Sequence, residues 1–503
     1  MDAWTIDELQ VPGIVLMEHA GRAVAERVLD VAPRGPVLVL TGPGNNGGDG
    51  WVLARHLWGR GVAAPVIAMK GPRDLKGDAA QAAAMFHRAA SALGWRAPDD
   101  GPAWRAVTSA QELTEAVARF GPVVVVDALF GTGLSRGLEG LAGDLVAAVA
   151  DVGVPVLAVD LPSGLPTDGE APKGPCVEAR WTVTFGARKI AHASEPGRFL
   201  CGDVRVVDIG LQAPAEERAA IATFRAPPLD ALRPPAPRES EHKGSFGHVA
   251  LLEGSPRTAG AARLAARGAL RAGAGLVTLL VDDPAAGASR DLPEVMHRAL
   301  ASDEALDGID AVVLGPGLGR DEASLERGRR VLAAARDRDL PVVVDADALP
   351  LLLEGGPALR AVATPHPGEA GRLLGTSTKD VQADRLAAAR ALHQASTGAG
   401  HRVTWILKGA CPVVLDEAGR AVVCEGGSVP LAVGGSGDVL AGVLGALLAR
   451  GLSLDGAALL GAVAHQEAGR GLAQRARRGF LASEIADEVQ RALYEAPNEG
   501  DRA

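Results

Sequence analysis

Two groups of residues in this 503-residue chain are of a type and spacing that can do chemistry. The first begins with Thr41-Gly42-Pro43-Gly44-Asn45-Asn46-Gly47-Gly48-Asp49-Gly50, between an apolar run and a helical segment at 51–57. A glycine-rich turn from strand to helix exposes backbone N–H groups at a helix N-terminus and suits a phosphate. It is neither the G-x-G-x-x-G fingerprint nor a P-loop, because no G-K-[ST] follows. Its two Asn and one Asp are more polar than a plain tight turn needs. Two more loops, Val126-Asp127-Ala128-Leu129-Phe130-Gly131-Thr132-Gly133 and Val159-Asp160-Leu161-Pro162-Ser163-Gly164, put Asp127, Asp160 and Ser163 at strand ends. Ligands of open α/β sheets bind outside the carboxyl ends of the strands. Asn46, Asp127 and Ser163 can therefore converge as hard oxygen donors for an alkali or alkaline-earth cation. The plainer alternative for each Asp is a helix cap or turn, and three such loops together weigh against it.

The second group centres on Gly434-Gly435-Ser436-Gly437-Asp438, which runs straight into an apolar helix at 439–449. Glycines at a helix start offer an anion hole, and Asp438 beside it is placed to act as general base on a substrate hydroxyl. The alternative is simple N-capping by Ser436 or Asp438. His242-Lys243-Gly244 opens this half, followed by a helix rich in Ala and Gly at 259–272. Gly315-Pro316-Gly317-Leu318-Gly319, Asp345-Ala346-Asp347-Ala348-Leu349, Thr364-Pro365-His366-Pro367-Gly368-Glu369 and Lys408-Gly409 then end successive strands.

These loops need a scaffold, and the apolar pattern supplies two. Short, nearly continuous apolar runs at 37–40, 66–69, 123–126, 154–159 and 181–185 read as strands buried on both faces, with helices such as 79–92 and 140–150 between them. That alternation predicts a parallel sheet between helical layers. A Pro-, Ala- and Arg-rich stretch at 211–240 reads as a linker. A second α/β alternation follows, with strands at 249–252, 276–281, 311–314, 342–344 and 403–407. The expected domains are 1–210 and 241–495. The net charge of −10 disfavours nucleic acid as a partner. Cys176, Cys201, Cys411 and Cys424 have neither zinc-ligand nor disulfide-framework spacing. The chain shows no basic-then-apolar leader, and its longest apolar stretch, 439–448, is about half of a membrane span. A cytoplasmic protein with no membrane partner is expected.

The motifs also carry a resemblance. Gly42-Pro43-Gly44-Asn45-Asn46-Gly47-Gly48-Asp49-Gly50, the Asp127 and Asp160 loops, and Leu16-Met17-Glu18-His19-Ala20-Gly21 resemble the signature of the NAD(P)H-hydrate epimerase family (the YjeF N-terminal domain). The resemblance implies a Rossmann-like three-layer fold that binds hydrated NADH or NADPH and a potassium ion. It implies that Asn46, Asp127 and Ser163 hold the potassium. Asn45, Asn46, Gly47, Gly48 and Asp49, with Gly131, Thr132, Gly133, Leu134, Ser135, Arg136 and Gly137, would wrap the dinucleotide. Asp160 would face the reacting nicotinamide ring as a catalytic residue.

The second group resembles the ADP- or ATP-dependent NAD(P)H-hydrate dehydratase family, a ribokinase-like α/β fold. This implies that Ala261, Gly317, His366 and Asp438 contact the hydrated nucleotide. Lys408, Gly409, Ala410, Cys411, Pro412 and Gly437 would contact ADP or ATP, accompanied by Mg²⁺. The family pattern has Thr at Pro412, and Asn and Thr at Ser428 and Val433, so some of its polar groups toward the nucleotide are missing here. A bifunctional repair enzyme acting on R- and S-NADHX and NADPHX is expected, as a homo-oligomer. The rival reading is a ribokinase-like small-molecule kinase fused to a non-catalytic ligand-binding domain.

Overall fold

The computed structural model describes residues 2–134, 136–214, 226–233, 238–254, 257–283, 292–302, 304–355 and 357–495. Ser135, one of the expected dinucleotide contacts, lies outside them. The chain divides into two compact units, Met1–Ala222 and Thr223–Ala503.

The first unit is a seven-stranded, all-parallel sheet. Its strands are β1 (Val37–Thr41), β2 (Val66–Ala68), β3 (Trp104–Ala106), β4 (Val124–Ala128), β5 (Val156–Val159), β6 (Trp181–Phe185) and β7 (Asp203–Val207), in the order β3-β2-β1-β4-β5-β6-β7. Strands β1, β4 and β5 are buried along their whole length, as their Val/Leu-rich sequences require. The strand order reverses between β1 and β4. Both chains there run outward to their connections in opposite directions, so a crevice opens beyond their carboxyl ends.

The glycine-rich segment differs from its sequence reading. Only 42–44 form the turn; the helix Asn45–Gly59 begins at the first Asn, so Gly47, Gly48 and Gly50 are helical. Their smallness serves close packing. A Cβ at Gly47 would strike the carbonyl of Gly42, one at Gly42 the carbonyl of Leu129, and one at Gly50 the side chains of Thr41 and Ala128. The helix start is thereby pressed onto the ends of β1 and β4.

The second unit is a nine-stranded sheet of β8 (His248–Leu252), β9 (Leu276–Val281), β10 (Met296–Ala299), β11 (Ala311–Leu314), β12 (Val342–Val344), β13 (Arg360–Ala363), β14 (Arg402–Leu407), β15 (Val413–Leu415) and β16 (Ala421–Val423). The order is β10-β9-β8-β11-β12-β13-β14-β15-β16, parallel up to β14, with β15 and β16 added antiparallel. The edge strands β3, β7 and β10 escape the apolar pattern because they are only half-buried and carry Arg, Asp or His.

Helix Ala259–Arg271 lies against helix Ser436–Ala449 so closely that a Cβ at Gly442 would collide with the Ala265 carbonyl, and one at Gly268 with that of Val439. Overpacking such a contact costs about 1–3 kcal/mol. Gly442→Ala is expected to lower the melting temperature of the second unit while epimerase activity persists. An unchanged melt would mean that these helices can separate freely.

Parts of the Pro-rich stretch pack on the unit they belong to. Thr5 Oγ1 donates to the Gln212 carbonyl at 3.0 Å, and Leu229 is buried in the core of the second unit. No helix among the described residues is long and apolar enough to cross a membrane.

Candidate functional site

In the first unit, three loops meet at the carboxyl ends of β1, β4 and β5. Asp127 is the next-to-last residue of β4 and is fully buried. Its carboxylate accepts Leu129 N at 3.2 Å, Ser163 N at 2.8 Å and Ser163 Oγ at 2.6 Å. Ser163 Oγ in turn accepts Phe130 N at 2.9 Å. The Asp127–Ser163 pair is thus direct, and every donor to the carboxylate is neutral. Burial pushes the Asp127 carboxyl above its ordinary value, against the hydrogen bonds from Ser163 and Leu129. The bond from Leu129 N is the turn contact of the plainer reading; the two from Ser163, 36 residues away, are not.

Asn46 reaches the same place from the helix. A Cβ at Gly131 would lie 3.0 Å from Asn46 Oδ1 and 3.4 Å from Asp160 Oδ2, so Gly131 leaves the gap that these two side chains face. Asn46 Nδ2 is buried without a hydrogen-bond partner. Gly131 and Gly137 are half-buried, while Asn45, Thr132, Gly133 and Arg136 are exposed around the gap.

Asp160 is not a cap. Its backbone takes φ +64°, the left-handed region that a non-glycine residue rarely enters. Its carboxylate accepts Thr184 Oγ1 at 2.8 Å and Lys189 Nζ at 2.5 Å. Lys189 Nζ also donates to Thr184 Oγ1 at 2.7 Å. His192 accepts Lys189 N on Nδ1, so its Nε2–H donates to the Asp160 carbonyl at 2.9 Å. Burial pulls His192 down to about 4, which keeps it neutral in this role. Asp49 is buried, and burial together with the Asp160 and Asp2 carboxylates pushes it well above the ordinary range. The motif at 16–21 is structural: Glu18 binds Arg55 and, at 2.7 Å, His56, joining helix Gly13–Val31 to helix Asn45–Gly59. The sequence reading missed Thr184, Lys189 and His192. The same rule, a loop at the carboxyl end of a strand, would have found Lys189 just after β6.

In the second unit the strand ends gather around one ammonium. Lys408, at the end of β14, donates to Asp345 Oδ1 at 2.8 Å and stands 3.9 Å from Glu369 Oε2. Burial alone would lower the Lys408 ammonium, but Asp345 and Glu369 outweigh it and hold it above the ordinary lysine value. A Cβ at Gly437 would lie 3.1 Å from Lys408 Nζ and 3.8 Å from Asp345 Oδ2, which puts the glycine turn against this cluster. Asp438 is pushed up to about 6, first by burial and then by the Asp345 carboxylate, with Lys408 pulling the other way.

Helix Ser436–Ala449 has Gly435 as its N-cap at φ +91° and no side-chain capping bond. Neither Ser436 nor Asp438 is therefore the cap, and the Asp438 carboxylate is left for other use. His465 Nε2 lies 3.1 Å from Ser436 Oγ and 3.2 Å from Ser436 O, and burial pulls this imidazole down to about 4.

His366 does cap its helix, accepting Gly368 N at 3.0 Å on Nδ1, with Nε2 3.2 Å from Glu369 Oε1 and half the side chain exposed. Burial, then Lys408 and Arg372 against Glu369, holds it below the ordinary histidine value. Ala261 and Gly317 are neighbours, since a Cβ at Gly317 would sit 3.2 Å from that of Ala261. In the stretch 408–412, Gly409 is exposed, Ala410 half-buried, and Cys411 and Pro412 are buried. Ser428 Oγ donates to the Gly469 carbonyl at 2.6 Å, tying it to helix Leu454–Arg475.

Comparison with known proteins separates along the same two units. Residues 13–191 match the family described as YjeF-related protein N-terminus, and residues 249–491 match the NAD(P)H-hydrate dehydratase family. A bifunctional NAD(P)H-hydrate repair enzyme of Moorella thermoacetica is 36% identical over 97% of this chain and 93% of its own. One from Escherichia coli is 35% identical over 91% of this chain and 84% of its own. The solved ADP/ATP-dependent NAD(P)H-hydrate dehydratase of Bacillus subtilis, co-crystallised with ATP and Mg²⁺, is 27% identical over 53% of this chain and 97% of its own, with a TM-score of 0.47. With both halves matched in order and the full-length relatives aligned across nearly the whole chain, this protein belongs to the family of bifunctional NAD(P)H-hydrate repair enzymes, an epimerase unit followed by a dehydratase unit.

Proposed function

We propose that the first unit interconverts R- and S-NAD(P)HX at Asp160 and that the second dehydrates the S form at Asp438. The observation that carries this reading is Asp438. It is a carboxylate free of capping duty at a glycine-rich helix start, near the half-buried Lys408, and burial pushes it up to about 6. Hydrated NAD(P)H carries a hydroxyl on C6 of the reduced ring. Asp438 takes that proton, and the oxygen attacks the terminal phosphorus of ADP or ATP, releasing AMP or ADP. The N–H groups around Gly437 and the Lys408 ammonium meet the charge of the transferring group. The ring nitrogen's lone pair then expels phosphate, and loss of the C5 proton restores the ring double bond.

In the first unit Lys189 and Thr184 hold Asp160 oriented toward the gap at Gly131, where it moves the proton needed to exchange the C6 hydroxyl. Ala261, Gly317 and His366 line the dehydratase side toward the nicotinamide nucleotide; residues 408–412 and Gly437 face the adenine nucleotide.

A potassium ion fits Asn46, Asp127 and Ser163. All three offer oxygen, and the buried Asp127 carboxylate has no Lys, Arg or His partner among the described residues. When bound, the ion would supply fixed positive charge beside the reacting ring. In K⁺-free sodium buffer, and in Asp127→Asn with K⁺, epimerisation is expected to drop at least tenfold while dehydration of the S form is unchanged. Equal loss of both activities would remove this assignment. Magnesium fits as a companion of the nucleotide phosphates, since Asp345, Glu369 and Asp438 give the Lys408 cluster a surplus of negative charge.

The test is full-chain protein with mixed R- and S-NADHX, K⁺, Mg²⁺ and ADP or ATP, following NADH absorbance and phosphate together. Complete NADH recovery with equal phosphate release is expected. A stable phosphomonoester without NADH would instead establish the sugar-kinase type of reaction. The reading also implies a cytoplasmic location and a homo-oligomer.

A further inference from the structure

Arg385 is among the largest side chains sealed inside the protein, with no exposed surface. It opens helix Arg385–Gly398, and its Nη1 donates to Gln382 Oε1 at 2.7 Å. Its Nη2 donates to the carbonyls of Leu407 and Lys408, each at 3.1 Å, and of Cys411 at 3.3 Å. One guanidinium therefore gathers carbonyls from both ends of the turn that leaves β14.

This has a consequence for the outer face of the turn. A trans peptide points its C=O and N–H in opposite directions. With the Lys408 carbonyl drawn inward to Arg385, the N–H of Gly409 is turned away from the guanidinium, on an exposed residue. Lysine brings a single nitrogen on a shorter stem, so it could not hold Gln382 Oε1 and these three carbonyls together, as the two arms of the arginine fork do. A Cβ at Gly409 would come within 2.5 Å of Arg385 Nη2, so a larger residue there has to displace the guanidinium.

We infer that Arg385 is a positioning residue for the nucleotide, fixing the turn at 407–411 in its ligand-binding shape without touching the ligand. The inference rests on reading 408–412 as the nucleotide loop. Arg385 acts through main-chain carbonyls of this turn, so its loss is felt in nucleotide affinity and not in the contacts to NADHX.

The test uses full-chain Arg385→Lys, Gly409→Ala, the double variant and Lys408→Met. The readouts are the Kd of ADP by calorimetry and the KM values of ADP and NADHX. Arg385→Lys is expected to raise the ADP Kd and KM about tenfold or more, the scale of one or more lost charged hydrogen bonds, with the NADHX KM within twofold of the parent. Gly409→Ala, which displaces the same guanidinium, should do likewise, and the double variant should be no worse than the weaker single. A merely structural arginine would reduce the active fraction and leave the ADP Kd unchanged in the folded protein; that outcome, or additive losses in the double variant, overturns the inference. If Arg385→Lys does not fold, an unchanged ADP Kd in Gly409→Ala overturns it equally. Lys408→Met separates the two levels. If it too binds ADP normally, the nucleotide lies elsewhere and both readings fall. If it loses ADP while Arg385→Lys does not, only the role of Arg385 falls.

Discussion

Asp438→Asn is expected to lower the dehydratase kcat by about 10²–10⁴-fold, the usual contribution of a positioned general base, while ADP still binds and epimerisation continues. The pH profile gives the sharper result. Burial and the Asp345 carboxylate push Asp438 up to about 6. The base form is therefore present above that pH, and kcat/KM for S-NADHX falls as the pH drops through it. In Asp438→Asn this acid limb should vanish from whatever activity remains. Asp345→Asn removes a negative neighbour and frees Lys408 from its 2.8 Å partner. Both changes favour the Asp438 carboxylate, so the limb should move to lower pH. A limb that stays in place in Asp438→Asn would assign it to another group, and the mechanism would need a different base.

Asp160→Asn should leave S-NADHX dehydration intact and stop epimerisation. With mixed epimers, NADH recovery is then expected to halt at the S fraction, and the epimerisation rate to fall about 10²–10⁴-fold. Lys189→Met is the companion test. It keeps the carboxylate but removes its 2.5 Å ammonium partner, so epimerisation should weaken while dehydration of the S form is unchanged. Full recovery at the parent rate from Asp160→Asn would leave the first unit's chemistry to other groups, with the buried Asp49 next in line.

The parts of this protein that were legible in the sequence share a physical cause. Central strands such as β1, β4 and β11 are buried on both faces, so they must be continuous aliphatic runs, and the loops at their ends carry unusual polar residues among glycines. That exposed both the Asp127–Ser163 and the Lys408–Asp345 neighbourhoods. Edge strands β3, β7 and β10 were hidden because half-exposed strands tolerate charges and lose the pattern. The helix start at Asn45 was missed because glycine normally argues against helix; here contact between backbones overrides propensity. Residues that act from the second rank were invisible for another reason. His465 and Arg385 lie in ordinary-looking segments, and only folding brings them to Ser436 and to the turn after β14.

The glycine contacts between helices Ala259–Arg271 and Ser436–Ala449 bear on how such a protein can change over time. Ala261 rides on one helix and Asp438 on the other, and where the helices cross, Gly268 and Gly442 bring main chain against main chain. No rotamers lie between them to take up a push, so the spacing of these two positions is set by peptide geometry. The aliphatic core around them can exchange Val, Leu and Ile with little effect, since volume-conserving swaps are tolerated. Drift in the sequence should therefore collect in that aliphatic core before it reaches Gly268 and Gly442, and a mutational scan for hydride-cofactor repair should find these two glycines less tolerant than the core positions around them.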